Sequence, residues 1–74
     1  MTEKEFKYMT EAIAADMAEF LTEDFGMSIA ESLDILYNSE TYSKLTDRNT
    51  GLYFQSPGYV YSFLKSELAF GKMK

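Results

Sequence analysis

The sequence predicts an all-α fold: a small bundle of three to four helices, with room for a short extended segment near residues 52-55. Two observations carry this expectation. Large apolar residues recur at intervals of three and four through the first third of the chain, and serine caps followed by apolar patterns mark three further helix starts. The length adds a third constraint, because a chain of 74 residues buries only about 60% of its unfolded surface. One core, and so a single helical domain over 1-74, is expected.

The first helix is expected at residues 3 to 25. Phe6, Met9, Ile13, Met17, Phe20 and Leu21 fall on one helical face, Ala12, Ala14, Ala15 and Ala18 add helix propensity and allow close approach, and Gly26 suits the position past a helix end. The second starts at Ser28, which forms a capping box with Glu31 ahead of Ile29, Leu33, Leu36 and Tyr37. The connection Gly26-Met27 is short enough to make the two helices neighbours, with Met27 available as a hydrophobic staple.

Ser39 opens a third helix of two turns at most, presenting Tyr42 and Leu45 inward. Residues 46 to 51, "TDRNTG", cluster turn formers and read as an exposed loop, after which "LYF" reads as extended. The last helix is expected from 57 to 70, with Ser56 as cap and Pro57 at the first helical position. Val60, Phe63, Leu64 and Leu68 form its expected buried face, with Tyr59 and Tyr61 on the flanks.

Composition excludes several functions. The apolar content of 46% is too high for disorder, and the mean hydropathy of -0.27 is too low for a membrane span. Cysteine is absent, so helix packing or oligomerisation must make up for the thin core. The N-terminus "MTEKEFKYMTEA" lacks the apolar run of a secretory signal, which makes cytoplasmic the default location. A net charge of -5, with Lys4, Lys7, Lys44, Arg48, Lys65, Lys72 and Lys74 scattered, disfavours nucleic acid as a partner and suits a basic protein.

The chemistry of catalysis is also poorly represented. Histidine is absent, which removes the commonest general base and the commonest metal ligand together. The spaced carboxylates Glu31 with Asp34 and Glu19 with Glu23 read as solvated faces. Asp47 and Asn49 resemble the start of a calcium loop, but Leu52 stands at its sixth position and Gly58 at its twelfth. No catalytic residue, cofactor or metal is expected, and no phosphate-binding glycine pattern occurs.

The aromatic residues are the remaining signal. Tyr53, Phe54, Tyr59, Tyr61, Phe63 and Phe70 all lie in the last third, and Tyr37 and Tyr42 precede them. Tyrosine suits an interface because it tolerates exposure before binding and burial after it. Tyr37, Tyr42, Tyr53, Phe54, Tyr59 and Tyr61 are therefore the candidate contacts for a protein partner or for a second copy of the chain.

Residues 36 to 68 carry a resemblance. Tyr37, Ser39, Thr41, Tyr42, Leu45, Thr50, Gly51, Leu52, Tyr53, Gln55 and Ser56 fall on the pattern L-Y-x-S-x-T-Y-x-x-L followed by T-G-L-Y-x-Q-S. The segment is similar to a group of short bacterial proteins of gut anaerobes, often in operons suggestive of toxin and antitoxin pairs, in some cases beside a protein similar to ADP-ribosyltransferases. The resemblance implies a non-catalytic, antitoxin-like partner of a co-encoded protein. The alternative expectation is a helix-turn-helix autoregulator over residues 28-38 and 40-45, although "ETYSKLTDR" offsets Lys44 and Arg48 with Glu40 and Asp47.

Overall fold

Helix α1, Glu3–Phe25, opens a chain of four helices in a computed structural model that describes residues 2–71. It is followed by α2 (Ile29–Tyr37), α3 (Glu40–Leu45), 3-10 turns at Arg48–Thr50 and Leu52–Phe54, and α4 (Pro57–Phe70). No strand occurs among the described residues. The expected all-α bundle is the observed one.

Local chemistry sets the helix ends. A capping box starts α1, Glu5 N donating to Thr2 Oγ1 at 3.1 Å and Thr2 N to Glu5 Oε1 at 2.9 Å, and Gly26 ends the helix at φ 66°. Ser28 and Glu31 repeat the box at α2, while the Ser39 and Ser56 hydroxyls accept from Tyr42 N and Tyr59 N at the starts of α3 and α4. The fourth position of α2 is Ser32, which offers no apolar staple to Met27; Met27 packs on the core instead.

Helices α2 and α4 pack against α1, and α3 packs chiefly on α4. Helix α2 folds back along it, bringing Tyr37 and then Tyr42 beside Phe6 and Thr10. The chain next crosses the N-terminal end of α1, where Arg48 meets Glu3 at 2.7 Å and Tyr53 stacks edge-on against Phe6 at 4.9 Å. Helix α4 then runs along the other flank in the same direction as α1, with Pro57 near Ile13 and Tyr61 near Phe20.

One cluster of buried side chains results. Ile13, Ala14, Met17, Ala18 and Leu21 come from α1, and Leu36, Leu45, Leu52, Val60, Tyr61 and Leu64 close around them. The alanines let the partner helices approach where a larger side chain would hold them off. Ser32 is fully buried among these elements, and its hydroxyl has no hydrogen-bond partner among the described residues.

Several positions depart from the expected pattern. Ile29 is 57% exposed because it lies at the corner where α1 has already ended, and Leu68 is exposed because the last turn of α4 runs past the core. Tyr61, expected on a flank, is only 5% exposed, whereas Phe63 is half-buried and stacks edge-on with Tyr59. The segment 52–54 is a 3-10 turn closed by Phe54 N donating to Gly51 O and Gln55 N to Leu52 O; only Gln55 is extended. Gly51 at φ 71° reverses the chain after Thr50, so Leu52 can enter the core.

A long-range carboxylate clamp joins α4 to α3. Glu67 accepts from Glu40 N at 2.7 Å, from Thr41 N at 2.9 Å and from the Thr41 hydroxyl at 2.8 Å. Burial alone raises the Glu67 pKa, but the three donors outweigh it and leave the value lowered from 4.5. Glu67 therefore supplies from a distance a negative charge at the positive end of α3.

Two predictions follow from this packing. Glu67→Ala is expected to cost about 1–2 kcal/mol at neutral pH, on the scale of a lost cap or charge-assisted hydrogen bond. Because the folded-state value is depressed, this contribution is complete above the ordinary carboxylate value of 4.5 and is lost as pH falls through the lowered one. Urea unfolding of both proteins from about pH 7 to about pH 3 checks it: a gap that does not narrow in acid contradicts the clamp. Conversely, Ser32→Ala is expected to raise stability by about 1 kcal/mol by removing an unpaired buried hydroxyl. A lowered melting temperature for that variant would show that the hydroxyl is satisfied.

Candidate functional site

The N-terminal half of α1 buries only one side, so its flanks form the walls of two shallow grooves. The side chains of Phe6 and Tyr53 separate them, packed edge-on, and the Arg48 guanidinium lies 4.6 Å from the Phe6 ring centre. Arg48 also pairs with Glu3 in solvent, so the crossing of the chain over α1 is held mainly by the apolar and cation–π contacts.

The first groove, about 360 Å³, lies between α1 and the α2–α3 junction and mixes polar and apolar groups. Tyr37 and Tyr42 stack edge-on in it at 5.0 Å, facing Phe6, Thr10 and Glu11. Burial, and then the nearby Tyr37 and Glu11, raise the Tyr42 pKa above its ordinary 10.0. Tyr37 itself remains 54% exposed.

The second groove, about 280 Å³, lies on the opposite flank and is more apolar. Met9, Ala12 and Ile13 lie along α1, Tyr53 and Pro57 face them, and Tyr8 and Phe54 stand in solvent at 75% and 66% exposure. The small Ala12 side chain keeps the groove open. Tyr53 and Phe54 stack on each other at 4.3 Å, which ties the exposed ring to a fixed one.

The six aromatic candidates therefore separate. Tyr37 and Tyr42 share the first groove, Tyr53 and Phe54 the second, and Tyr59 pairs with Phe63 on the outside of α4. Tyr61 belongs to the core: its hydroxyl donates to Asp24 Oδ2 at 2.7 Å, and its ring packs against Phe20 at 5.0 Å. Burial first, and the Asp24 carboxylate second, raise its pKa above 10.0.

Tyr8 and Met9 were not among the candidates, although the signal was present. Tyr8 falls outside the 6-9-13-17 stripe of α1 and so has to face water. Charge carries a second signal that a count of scattered lysines hides. Helix α1 holds Glu3, Glu5, Glu11, Asp16, Glu19, Glu23 and Asp24 against Lys4 and Lys7, which equals the whole net charge of -5. No Lys or Arg occurs between Lys7 and Lys44.

The other sequence candidates fall into structural roles. Glu31 caps Ser28 and is exposed, and Asp34, also exposed, accepts from Asn38. Asp47 accepts from Asn49 N at 2.9 Å within an ordinary capped turn. Among the described residues no group of three or more His, Cys, Asp or Glu is placed to hold a metal ion, and no helix is long and apolar enough to cross a membrane. Of the two cations expected on a recognition segment, Arg48 is held by Glu3 and Phe6. No known family, curated protein or solved structure matches the chain.

The division between core and surface aromatics has a measurable consequence. Tyr61→Ala is expected to cost about 3 kcal/mol or more, as for other large-to-small core changes, whereas Phe54→Ala stays within about 0.5 kcal/mol of the parent. Denaturant midpoints of the two variants decide it, and equal losses would place Phe54 in the core.

Proposed function

We propose that the chain is a non-catalytic, intracellular protein-interaction module and an antitoxin-like partner of a co-encoded protein. The observation that carries this reading is the set of aromatic side chains left in solvent at groove edges: Tyr8, Tyr37 and Phe54 are each more than half exposed. Exposed rings beside grooves lose water-contacting surface when a partner covers them, and aromatic residues are enriched in such interfaces. The antitoxin-like part rests on the sequence resemblance over residues 36 to 68.

Tyr37, Tyr42, Tyr53 and Phe54 are the contact residues of this proposal, with Tyr59 on a separate patch. Tyr53 supports rather than leads, because its ring is packed on Phe6 and on the core. Phe54 and Tyr37, exposed and only locally stacked, are the residues whose truncation separates binding from folding.

The expected outcome is that the purified chain is monomeric over a concentration series in light scattering and forms a complex when co-expressed with the product of the neighbouring gene. Phe54→Ala or Tyr37→Ala weakens that complex by about tenfold or more while the melting temperature holds. A chain that remains alone at every concentration and with its neighbour sinks the proposal. A stable dimer that ignores the neighbour replaces the antitoxin-like role by self-association.

A further inference from the structure

We infer that the Tyr8–Phe54 groove and a row of carboxylates continuing from it along α1 form one docking surface for a basic amphipathic helix of a partner protein. This inference rests on the interaction reading above and assigns it a surface and a partner chemistry. Glu5, Tyr8, Ala12, Asp16, Glu19 and Glu23 follow one another at intervals of three and four. At 3.6 residues per turn they share an arc of about 80°, and from Tyr8 to Glu23 the row is about 22 Å long. All six are exposed.

The row has two chemically different ends. At the Tyr8 end, Met9, Ala12, Tyr53, Phe54 and Pro57 make the surface apolar, and Lys4 beside Glu5 offsets the charge there. Toward the C-terminus of α1, Asp16, Glu19 and Glu23 have no ion-paired cation among the described residues, where Arg48 with Glu3 is the one salt bridge. A complementary helix therefore presents apolar side chains over Tyr8 and Phe54 and Arg or Lys over the three carboxylates.

The same charges argue against other occupants. A second copy brings its own -5 and an identical acidic row, and an anionic lipid surface is repelled in the same way. The first groove lacks this continuity, since Lys7 and the Tyr37 and Tyr42 hydroxyls interrupt it with mixed polarity.

The test is titration of the isotope-labelled full chain, followed by amide NMR, with an amphipathic helical peptide of about 18 residues, long enough at 1.5 Å per residue to span the row. One half of its stripe carries leucines and the other half arginines. Controls are a shuffled peptide of equal composition and one with glutamates in place of the arginines. The expected result is saturable binding with shifts confined to residues around Tyr8, Ala12, Asp16, Glu19 and Phe54. Phe54→Ala and Tyr8→Ala should each weaken it about tenfold, and Glu19→Gln with Glu23→Gln should weaken it severalfold and flatten its salt dependence.

Equal binding of either control, shifts centred on Tyr37 and Tyr42, or no saturable binding overturns the inference. So does a concentration-dependent doubling of mass with shifts in the groove, which would place a second copy there. The broader reading falls separately. A chain that captures its neighbour with Phe54→Ala unimpaired remains an interaction module and loses only this surface, whereas one that captures nothing loses both.

Discussion

The packing of α1 against α2 and α4 is the constraint on which most of the fold depends. A chain without cysteine and with one small core relies on helix packing for most of its cohesion. Ile13, Met17 and Leu21 supply volume on the inner side of the helix, and Ala14 and Ala18 supply closeness. Helix α2, at nine residues, is too short to persist without that template, and α3, at six, is held chiefly by α4 and α2. Their boundaries are therefore set by caps but their existence by packing on a longer helix, α1 for α2 and α4 for α3.

Concentrating the packing on one side of α1 leaves the opposite side free, and the sequence places there charges that do not favour the helix. Glu19 and Glu23 are like charges four apart, and Glu23 and Asp24 sit at the negative end of the dipole with no basic residue in the last turn. Each arrangement costs a few tenths of a kcal/mol. Asp24 is compensated, because the Tyr61 hydroxyl donates to it, but among the described residues the Glu19 and Glu23 side chains make no comparable contact.

Elements governed by local chemistry were legible in the sequence. The bounds of α1, α3 and α4 follow from Gly26, Ser39, Ser56 and Pro57, all of which act within a turn of where they stand. What was not legible depends on distance. Glu67 caps α3 from more than twenty residues away, and no spacing rule announces it. Tyr61 and Tyr59 stand on either side of Val60 in a run of similar residues, and only the position of Phe20 and Asp24 decides that the first is core. The extended reading of "LYF" failed because Gly51 turns the chain inward, so Leu52 is drawn into the core and the backbone tightens into a 3-10 turn. Of the candidate site, the aromatic residues were visible as a set, but their division into two grooves, a surface pair and a core ring was not.

That division bears on how binding energy can be used here. Association is costly when flexible side chains have to be ordered at the interface, and rings held in place beforehand avoid part of that cost. Phe54 is exposed yet stacked on Tyr53, Tyr53 is held by Phe6, and Phe6 lies under Arg48, whose other partner is Glu3. The chain of contacts runs from an exposed ring to the crossing that closes the fold. A surface of this kind is preorganised by the same contacts that hold the C-terminal half against α1, so fold and candidate interface are stabilised by one set of interactions rather than two.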